Sequence, residues 1–275
     1  MEIRLVEPLE PDYPEALRAL EAPPALEWAG PKLSGAILAI VGSRRATPEA
    51  LRFARELAAW AAKQDVLVLS GGALGIDGAA HEGALEASGR TAAVLVAPLE
   101  RPAPARHRSL FRRMLDEGGS LLASRDLPRS KGAFVERNLF VAALADHVVV
   151  VQAGARSGSL QTGRLALRLG RPLWSVPGAP WSPLAEGCLD LLKQGARLLR
   201  GPEDLADALG LAAPRARREL CPRRAWLRSQ GQAFPEDMAQ ALGLDAGEVL
   251  RWASREEILG RLKRTTGGQL RLAQS

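Results

Sequence analysis

A glycine-rich stretch between an apolar run and a helix constrains the fold of this 275-residue chain most strongly. It reads VLVLSGGALGIDGAAH over residues 66–81. The β-branched run predicts a strand buried on both faces, and Gly71, Gly72 and Gly75 allow a tight turn and close backbone approach. Free N–H groups at such a turn, backed by a helix that Asp77 can cap, favour an anion. The stretch therefore predicts a phosphate-binding turn, and a strand-to-helix connection without a ligand is the alternative.

The same turn matches the dinucleotide pattern GxGxxG only with Ser70 in place of the first glycine. A dinucleotide site also needs an acidic residue at the end of the next strand, to hold a ribose hydroxyl. That strand is predicted at residues 91–96, and Ala97 and Pro98 follow it. The chain also contains no GxxxxGK[ST] string, which excludes a P-loop.

Strands, turns and helices alternate along most of the chain. Strands are predicted at residues 36–41, 66–70, 91–96, 120–124, 147–152 and 172–176. Near-continuous apolar strands in this alternation indicate an α/β fold, with a doubly wound, mostly parallel sheet covered by helices on both faces. We assign this domain to residues 35–211, and residues 1–34 to an N-terminal lead-in that packs on it.

A Pro, Ala and Arg linker at residues 212–218 precedes a different kind of domain, assigned to residues 219–275. Helices are predicted at residues 220–229, 235–242 and 246–257, and strands at 260–265 and 269–273. Three helices and a hairpin in this order are typical of a winged helix-turn-helix. Such modules bind duplex DNA or contact other proteins, and Arg251 and Arg255 mark the candidate recognition helix.

The net charge of +6 is concentrated in two parts of the chain. Residues 213–275 hold 12 basic and 7 acidic residues, and residues 101–137 hold 9 and 4, an excess of five in each. Basic patches of this kind favour a polyanion partner, although a solvated arginine-rich surface is the alternative.

The two cysteines, Cys188 and Cys221, lie far apart and outside any CxxC pattern. This argues against a disulfide framework or a metal site, and fits a reducing compartment. The first residues lack the basic and apolar regions of a signal peptide, and no stretch reaches membrane-spanning length. We therefore expect a soluble cytoplasmic protein that contacts no membrane and carries neither a metal nor a cofactor.

Three predicted turns at the carboxyl ends of strands have anion-binding character. They contain Ser43, Arg44 and Arg45; residues 70–75; and Ser157, Gly158 and Ser159 with Thr162. Small residues expose backbone N–H groups, and hydroxyl and guanidinium groups suit phosphate oxygens. If the three strands are neighbours, the turns converge on one edge of the sheet.

A fourth segment places an aromatic residue among cations. It reads KGAFVERN over residues 131–138 and precedes an apolar helix. Single-stranded nucleic acid is held by such pairs, because bases stack on the ring and cations pair with phosphates. The alternative is that Phe134 belongs to the core and staples the helix. Asn138 either makes hydrogen bonds within the site, or is a buried amide whose hydrogen bonds serve only the structure.

Candidates for catalysis are few. His81 lies four residues after Asp77, so the two side chains could interact, although a structural role for each is favoured. His107 and His147 look structural or exposed. No Ser/His/Asp set, carboxylate pair or metal cluster can be assembled from the spacing, and we expect a protein that is not an enzyme.

The chain resembles the DprA/Smf family of DNA-processing proteins. The strings that carry the resemblance are VGSRR, SGGALGIDGAAHEGAL, GRTAAVLV, GAFVERN, SGSLQTGRLAL and SVPG, in this order between residues 11 and 200. The resemblance implies an extended Rossmann fold and a non-catalytic, dimeric, cytoplasmic protein. Such a protein would bind single-stranded DNA and load the recombinase RecA during natural transformation.

The resemblance also implies a set of DNA-binding residues. They are Ser43, Arg44, Arg45, Gly72, Lys131, Gly132, Phe134, Asn138, Ser157, Gly158 and Ser159. To this set we add Gly71, Arg137 and Thr162, which lie in the same strings. Leu139 stands where many members have an arginine, and Arg125 where the usual acid follows Ser124. A nucleotide-processing enzyme, and a regulator that acts on duplex DNA through the winged helix, are the alternatives.

Overall fold

The computed structural model describes residues 2–125, 132–211, 222–258 and 262–273. Two compact units divide the chain, Met1–Ala213 and Pro214–Ser275.

A nine-stranded sheet forms the centre of the first unit. Its strands are β1 Arg4–Val6, β2 Leu26–Ala29, β3 Ile37–Val41, β4 Leu67–Ser70, β5 Thr91–Leu95, β6 Ser120–Ser124, β7 His147–Val150, β8 Leu173–Ser175 and β9 Arg197–Leu198. They are ordered β1-β2-β6-β5-β4-β3-β7-β8-β9. The seven strands from β6 to β9 in this order pair in parallel. Strand β2 pairs antiparallel with β6, and β1 pairs antiparallel with β2. The predicted Rossmann-like, mostly parallel sheet is confirmed.

Helices cover both faces of the sheet. They are α1 Glu15–Arg18, α2 Pro48–Lys63, α3 Ile76–Glu86, α4 Arg108–Asp116, α5 Gly132–Leu144, α6 Ser159–Arg168, α7 Glu186–Lys193 and α8 Pro202–Ala206. One face packs against α1, α5, α6 and α7, and the other against α2, α3, α4 and α8. In β3, Ala39 and Val41 belong to the first core, whereas Leu38 and Ile40 belong to the second. The continuous apolar run is therefore explained by burial on both faces.

The N-terminal lead-in extends the sheet, which the sequence analysis did not predict. Strand β2 pairs with β6, and β1 pairs with β2. Trp28 is 1% exposed and Tyr13 is buried, and both belong to the core of the first unit. The Tyr13 hydroxyl donates to the carbonyl of Pro24 at 2.8 Å. The first 30 residues thus cover an edge that β6 would otherwise expose.

The second unit has the element order of a winged helix-turn-helix. Its helices are α9 Pro222–Gln230, α10 Pro235–Leu242 and α11 Ala246–Ile258, and its strands are β10 Gln232–Ala233, β11 Leu262–Arg264 and β12 Leu270–Leu272. The strands form a separate antiparallel sheet, ordered β10-β12-β11. Strand β10 adds a third strand to the predicted hairpin. Leu227, Met238 and Val249 lie in a core made only of residues from this unit.

Two further expectations concern the cysteines and membrane contact. Cys188 is buried and free, and Cys221 lies outside the described residues. Within the described parts of the chain, none of the helices has the length and apolar character needed to cross a membrane.

Candidate nucleic-acid interface

A groove opens where the order of the sheet reverses. From β3 the chain builds β4, β5 and β6 on one side, and then crosses to β7 on the other side of β3. The loops after β3 and β7 therefore diverge, and ligands of open α/β sheets bind at such a point. The groove has a volume of about 730 Å³ and is lined by both loops and by the first turns of α5 and α6.

Backbone and amide contacts tie the two loops together. The N–H of Ser43 donates to the carbonyl of Gln152 at 2.7 Å, and the N–H of Thr47 donates to Gln152 Oε1 at 3.0 Å. The Ser43 hydroxyl accepts from the N–H of Arg45 at 3.1 Å. These hydrogen bonds fix the backbone of the turn after β3. The side chains of Arg44 and Arg45 remain exposed at the groove.

The glycine turn differs from the prediction of free N–H groups. The N–H groups of Gly71 and Ala73 both donate to Asp77 Oδ2, each at 3.2 Å. Asp77 is not the helix cap either, because α3 begins after Gly75, whose φ of +83° favours glycine. The prediction is wrong for these two groups, since the protein's own carboxylate occupies the place of the anion. Two N–H groups of the turn are thus committed within the protein, and Ala73 and Asp77 of this segment line the groove.

A buried arginine lies beside this carboxylate. Arg137 Nη1 is 3.9 Å from Asp77 Oδ2, and the two side chains are 7% and 6% exposed. A Cβ at Gly71 would lie 1.2 Å from Arg137 Nη1, so the glycine makes room for the guanidinium. Burial lowers the pKa of Arg137, and the nearby Asp77 carboxylate partly offsets this shift. Burial also raises the pKa of Asp77, although Arg137 and the two N–H groups act to lower it.

Hydrogen bonding of the Arg137 guanidinium is incomplete among the described residues. Its Nε–H has no hydrogen-bond partner among the residues that the structure describes. The 3.9 Å to Asp77 also exceeds hydrogen-bonding distance. A buried cation normally makes several hydrogen bonds, and the Arg137 guanidinium is therefore unusual in this respect.

Phe134 stands in the wall of the groove and not in the core. Its side chain is 38% exposed at the start of α5. The guanidinium carbon of Arg44 lies 4.9 Å from the centroid of its ring, a cation–π contact. This pair places a positive charge and an aromatic face side by side on the groove.

The serine turn forms the opposite wall. Ser157 Oγ and Ser159 Oγ are 2.7 Å apart, and Asn138 Nδ2 donates to the carbonyl of Gly158 at 3.3 Å. Helix α6 begins at Ser159, and its first turn lines the groove with Ser159, Gln161 and Thr162. A helix N-terminus carries partial positive charge and N–H groups suited to an anion.

The structure brings most of the predicted residues into this groove. Those that line it are Ser43, Arg44, Arg45, Phe134, Arg137, Asn138, Ser157, Gly158, Ser159 and Thr162. The predicted convergence of three turns is confirmed, because β4, β3 and β7 are neighbours. Gly71 lines an adjoining cavity, whereas Gly72 and Gly132 line neither, and Lys131 lies outside the described residues.

The sequence analysis missed two charged residues of the lining, Arg156 and Glu186. A signal for Arg156 was available, since it directly precedes Ser157 in the predicted anion-binding turn. The described lining holds four arginines and two acidic residues, and is therefore positively charged.

The three histidines lie away from the groove lining. His81 is fully buried, and its Nδ1 lies 2.7 Å from the hydroxyl of Thr91 and not against Asp77. Because the Thr91 hydroxyl donates to the carbonyl of Val68, Nδ1 carries the proton. His107 Nδ1 contacts the carbonyl of Gly72 at 3.0 Å, and His147 Nδ1 accepts from Trp174. Within the described residues, His, Cys, Asp and Glu form no cluster that could hold a metal ion.

Comparison with known proteins shows the family. A family model described as DNA recombination-mediator protein A matches residues 4–210, which contain every wall of the groove. The chain belongs to this family. The match confirms the resemblance to DprA/Smf proteins, and it ends before the second unit begins.

Curated relatives match a large part of this chain. The putative DNA processing protein DprA of Mycobacterium tuberculosis is 43% identical over 175 residues, 62% of this chain and 44% of that protein. The DNA processing protein DprA of Bacillus subtilis is 31% identical over 204 residues, 72% of this chain and 68% of that protein. The match spans about half the length of several relatives, between 44% and 53%.

Solved structures of family members share the fold. The DprA structure of Streptococcus pneumoniae superposes with a TM-score of 0.68 at 29% identity, covering 74% of this chain and 73% of that one. The structure of Helicobacter pylori DprA gives 0.67 at 29% identity, covering 76% and 95%. The Helicobacter pylori protein binds single-stranded DNA.

Proposed function

We propose that this protein binds single-stranded DNA in the groove at the switch point and mediates recombination without catalysing a reaction. The observation that carries the proposal is the Arg44–Phe134 pair, which faces the N-terminus of α6 across one groove. Single strands are held by this combination, in which bases stack on an aromatic ring and cations follow the backbone.

Each wall of the groove has a part in this proposal. Phosphates bind Arg44, Arg45 and the first turn of α6 with its serine turn, because these groups offer charge and N–H or hydroxyl donors. Bases stack on Phe134. Asn138 positions the serine turn through its contact with Gly158. Gly72, Lys131 and Gly132 are assigned to the interface from the family resemblance, and Gly71 as their neighbour in the glycine turn.

The non-catalytic assignment is supported by the two titratable groups nearest the glycine turn. Asp77 is committed to the N–H groups of Gly71 and Ala73, and His81 is sealed beneath the surface. His81 therefore cannot reach a substrate in the groove, and Asp77, although it lines the groove, has its Oδ2 committed to the turn, which disfavours the nucleotide-processing alternative.

Further parts of the proposal rest on the family. They are RecA loading onto the bound strand, a homodimeric state, a role in natural transformation, and a cytoplasmic location. They follow from the resemblance to DprA/Smf proteins, and the description of the matched family as a recombination mediator agrees with the first of them.

The test is strand binding at several salt concentrations. We expect the double variant Arg44→Ala with Arg45→Ala to bind a dT oligonucleotide at least tenfold more weakly than the wild type. Loss of two phosphate contacts should also reduce the slope of log K against log salt by roughly 1.4. Fluorescence anisotropy gives both quantities.

The matched control removes the same charge elsewhere. Arg164→Ala with Arg168→Ala replaces two exposed arginines of α6 outside the groove lining, and should bind within about threefold of the wild type. Equal losses in the two double variants would reduce the interaction to net charge and contradict the groove assignment.

A further inference from the structure

A tryptophan on the loop between β8 and α7 faces solvent. Trp181 is 86% exposed, whereas Trp28 and Trp174 are buried and the other three tryptophans are partly buried. Among the described residues, its indole has neither a hydrogen bond nor a ring contact. Exposing so large an apolar surface gains nothing for folding, because the hydrophobic effect favours its burial. The position of this side chain therefore has to be explained by something other than the stability of the fold.

The loop holds the indole in one place. Three of the nine residues in the loop, 177–185, are prolines, each of which fixes its own φ. The N–H of Ser182 donates to the carbonyl of Ala179 at 2.9 Å, which closes a β-turn with Pro180 and Trp181 at its centre. A group that binds this indole loses little free energy to ordering of the loop.

The same loop forms part of the groove. Pro183 and Leu184 line it together with residues 154–159, which make up the turn after β7. A Cβ at Gly154 would lie 2.9 Å from the carbonyl oxygen of Pro183, so the two segments are in direct contact. A strand that binds the serine turn therefore passes beside the loop that carries Trp181.

Charges beside the loop favour one orientation of such a strand. Arg156 is exposed, lines the groove next to Ser157, and has no ion-pair partner among the described residues. The N-terminus of α6 adds partial positive charge at Ser159. Glu186, which directly follows the loop, also lines the groove and repels phosphate. The backbone is thus drawn to the turn after β7, and the bases are left to face the loop after β8.

We propose that Trp181 stacks on a base of the single strand at the point where the strand leaves the groove past the loop after β8. The inference rests on the proposed function and extends it by a second aromatic contact, separate from Phe134. The phosphates between the two stacked bases bind the serine turn and Arg156. Stacking on an indole accepts every base, because each has a π-face, so this contact adds affinity without sequence preference.

The experiment compares two strands of equal length, one of dT and one of abasic residues. It is done at low salt, where phosphate contacts alone give measurable binding. We expect Trp181→Ala to bind the dT strand about fivefold to tenfold more weakly than the wild type, since one stacked base is lost. The variant should bind the abasic strand within about twofold of the wild type, which also shows that it is folded.

Two further variants make the comparison specific. Leu9→Ala removes another exposed apolar side chain, 96% exposed in the N-terminal lead-in, and should match the wild type on both strands. Trp181→Phe keeps an aromatic ring and should bind dT within about threefold of the wild type. Addition of dT should quench tryptophan emission in the wild type, and this quenching should be largely lost in Trp181→Phe although the strand still binds.

Three results would overturn the proposal. Equal losses on the two strands in Trp181→Ala would assign the contact to the backbone. Unchanged affinity for dT would remove Trp181 from the interface, and a change in sedimentation of the same variant would then assign the indole to a protein contact. Quenching that persists in Trp181→Phe would place the base at another tryptophan. If the wild type itself does not bind dT, the proposed function fails, and not this inference alone.

Discussion

At the scale of single residues, the glycine turn shows that a glycine pattern typical of phosphate binding can instead make room for a side chain of the protein. Glycine at position 71 indicates close approach of another group, and the sequence suggests that this group is a phosphate. In the structure the group is the guanidinium of Arg137, and the turn's N–H groups bind Asp77. The pattern identifies the need for space correctly, but the partner comes from a helix about sixty residues further along the chain.

His81 gives a prediction about pH. Burial lowers its pKa to about 3, against 6.5 for an exposed histidine. As the pH falls below 6.5, the unfolded chain takes up a proton at this residue and the folded protein does not. The folded state therefore loses stability over the window from pH 6.5 down to about 3.

We expect His81→Gln to reduce this acid sensitivity. Between pH 7 and pH 4.5 the free energy of unfolding should fall by about 2.5 kcal/mol more in the wild type than in the variant. Urea denaturation at both pH values measures the difference. Identical pH dependence of the two proteins would show that His81 is charged in the folded state.

At the scale of elements, the N-terminal strands close one edge of the sheet. The lead-in has prolines and few β-branched residues, so its sequence predicts a short helix better than strands. Strand β2 forms because β6 offers an open edge, and because Leu26 and Trp28 then enter the same core as Phe140. Pairing with a distant strand decides the conformation here, and local propensity does not.

We expect Trp28→Ala to destabilise the first unit by about 3–5 kcal/mol, because it removes a fully buried aromatic side chain. Trp181→Ala is the matched control, since Trp181 is 86% exposed and its loss should cost no more than about 0.5 kcal/mol. Chemical denaturation followed by circular dichroism measures both. Similar stability of the two variants would mean that β2 does not contribute to the core.

At the scale of the whole molecule, the two units have separate cores. The groove is built entirely from the first unit, and the family match covers residues 4–210. In the second unit, Arg251 and Arg255 are exposed on α11, where a recognition helix would present them. Each unit thus has its own candidate surface for nucleic acid.

A truncation separates the two surfaces. We expect residues 1–212 to retain affinity for a dT oligonucleotide within about threefold of the full chain at physiological salt. The regulator alternative instead requires that DNA binding is lost with the second unit. Anisotropy with a single strand and with a duplex, measured for both proteins, distinguishes the two outcomes.

The order of strands, turns and helices follows from the sequence alone. Apolar runs and glycine turns are local signals. The Thr47-Pro48 start of α2 is another, since the Thr47 hydroxyl accepts from the N–H of Ala50. The sequence strings that carry the family resemblance also contain most of the residues that line the groove.

Tertiary structure decided which groups each turn faces. The sequence allowed the serine and arginine turns to meet the glycine turn, but only the placement of β7 beside β3 brought them into one groove. It also buried Arg137 against Gly71 and Asp77, and left Phe134 at the surface. The physical reason is that these contacts join residues far apart in the chain, and their energies depend on burial and direction, which composition and spacing do not contain.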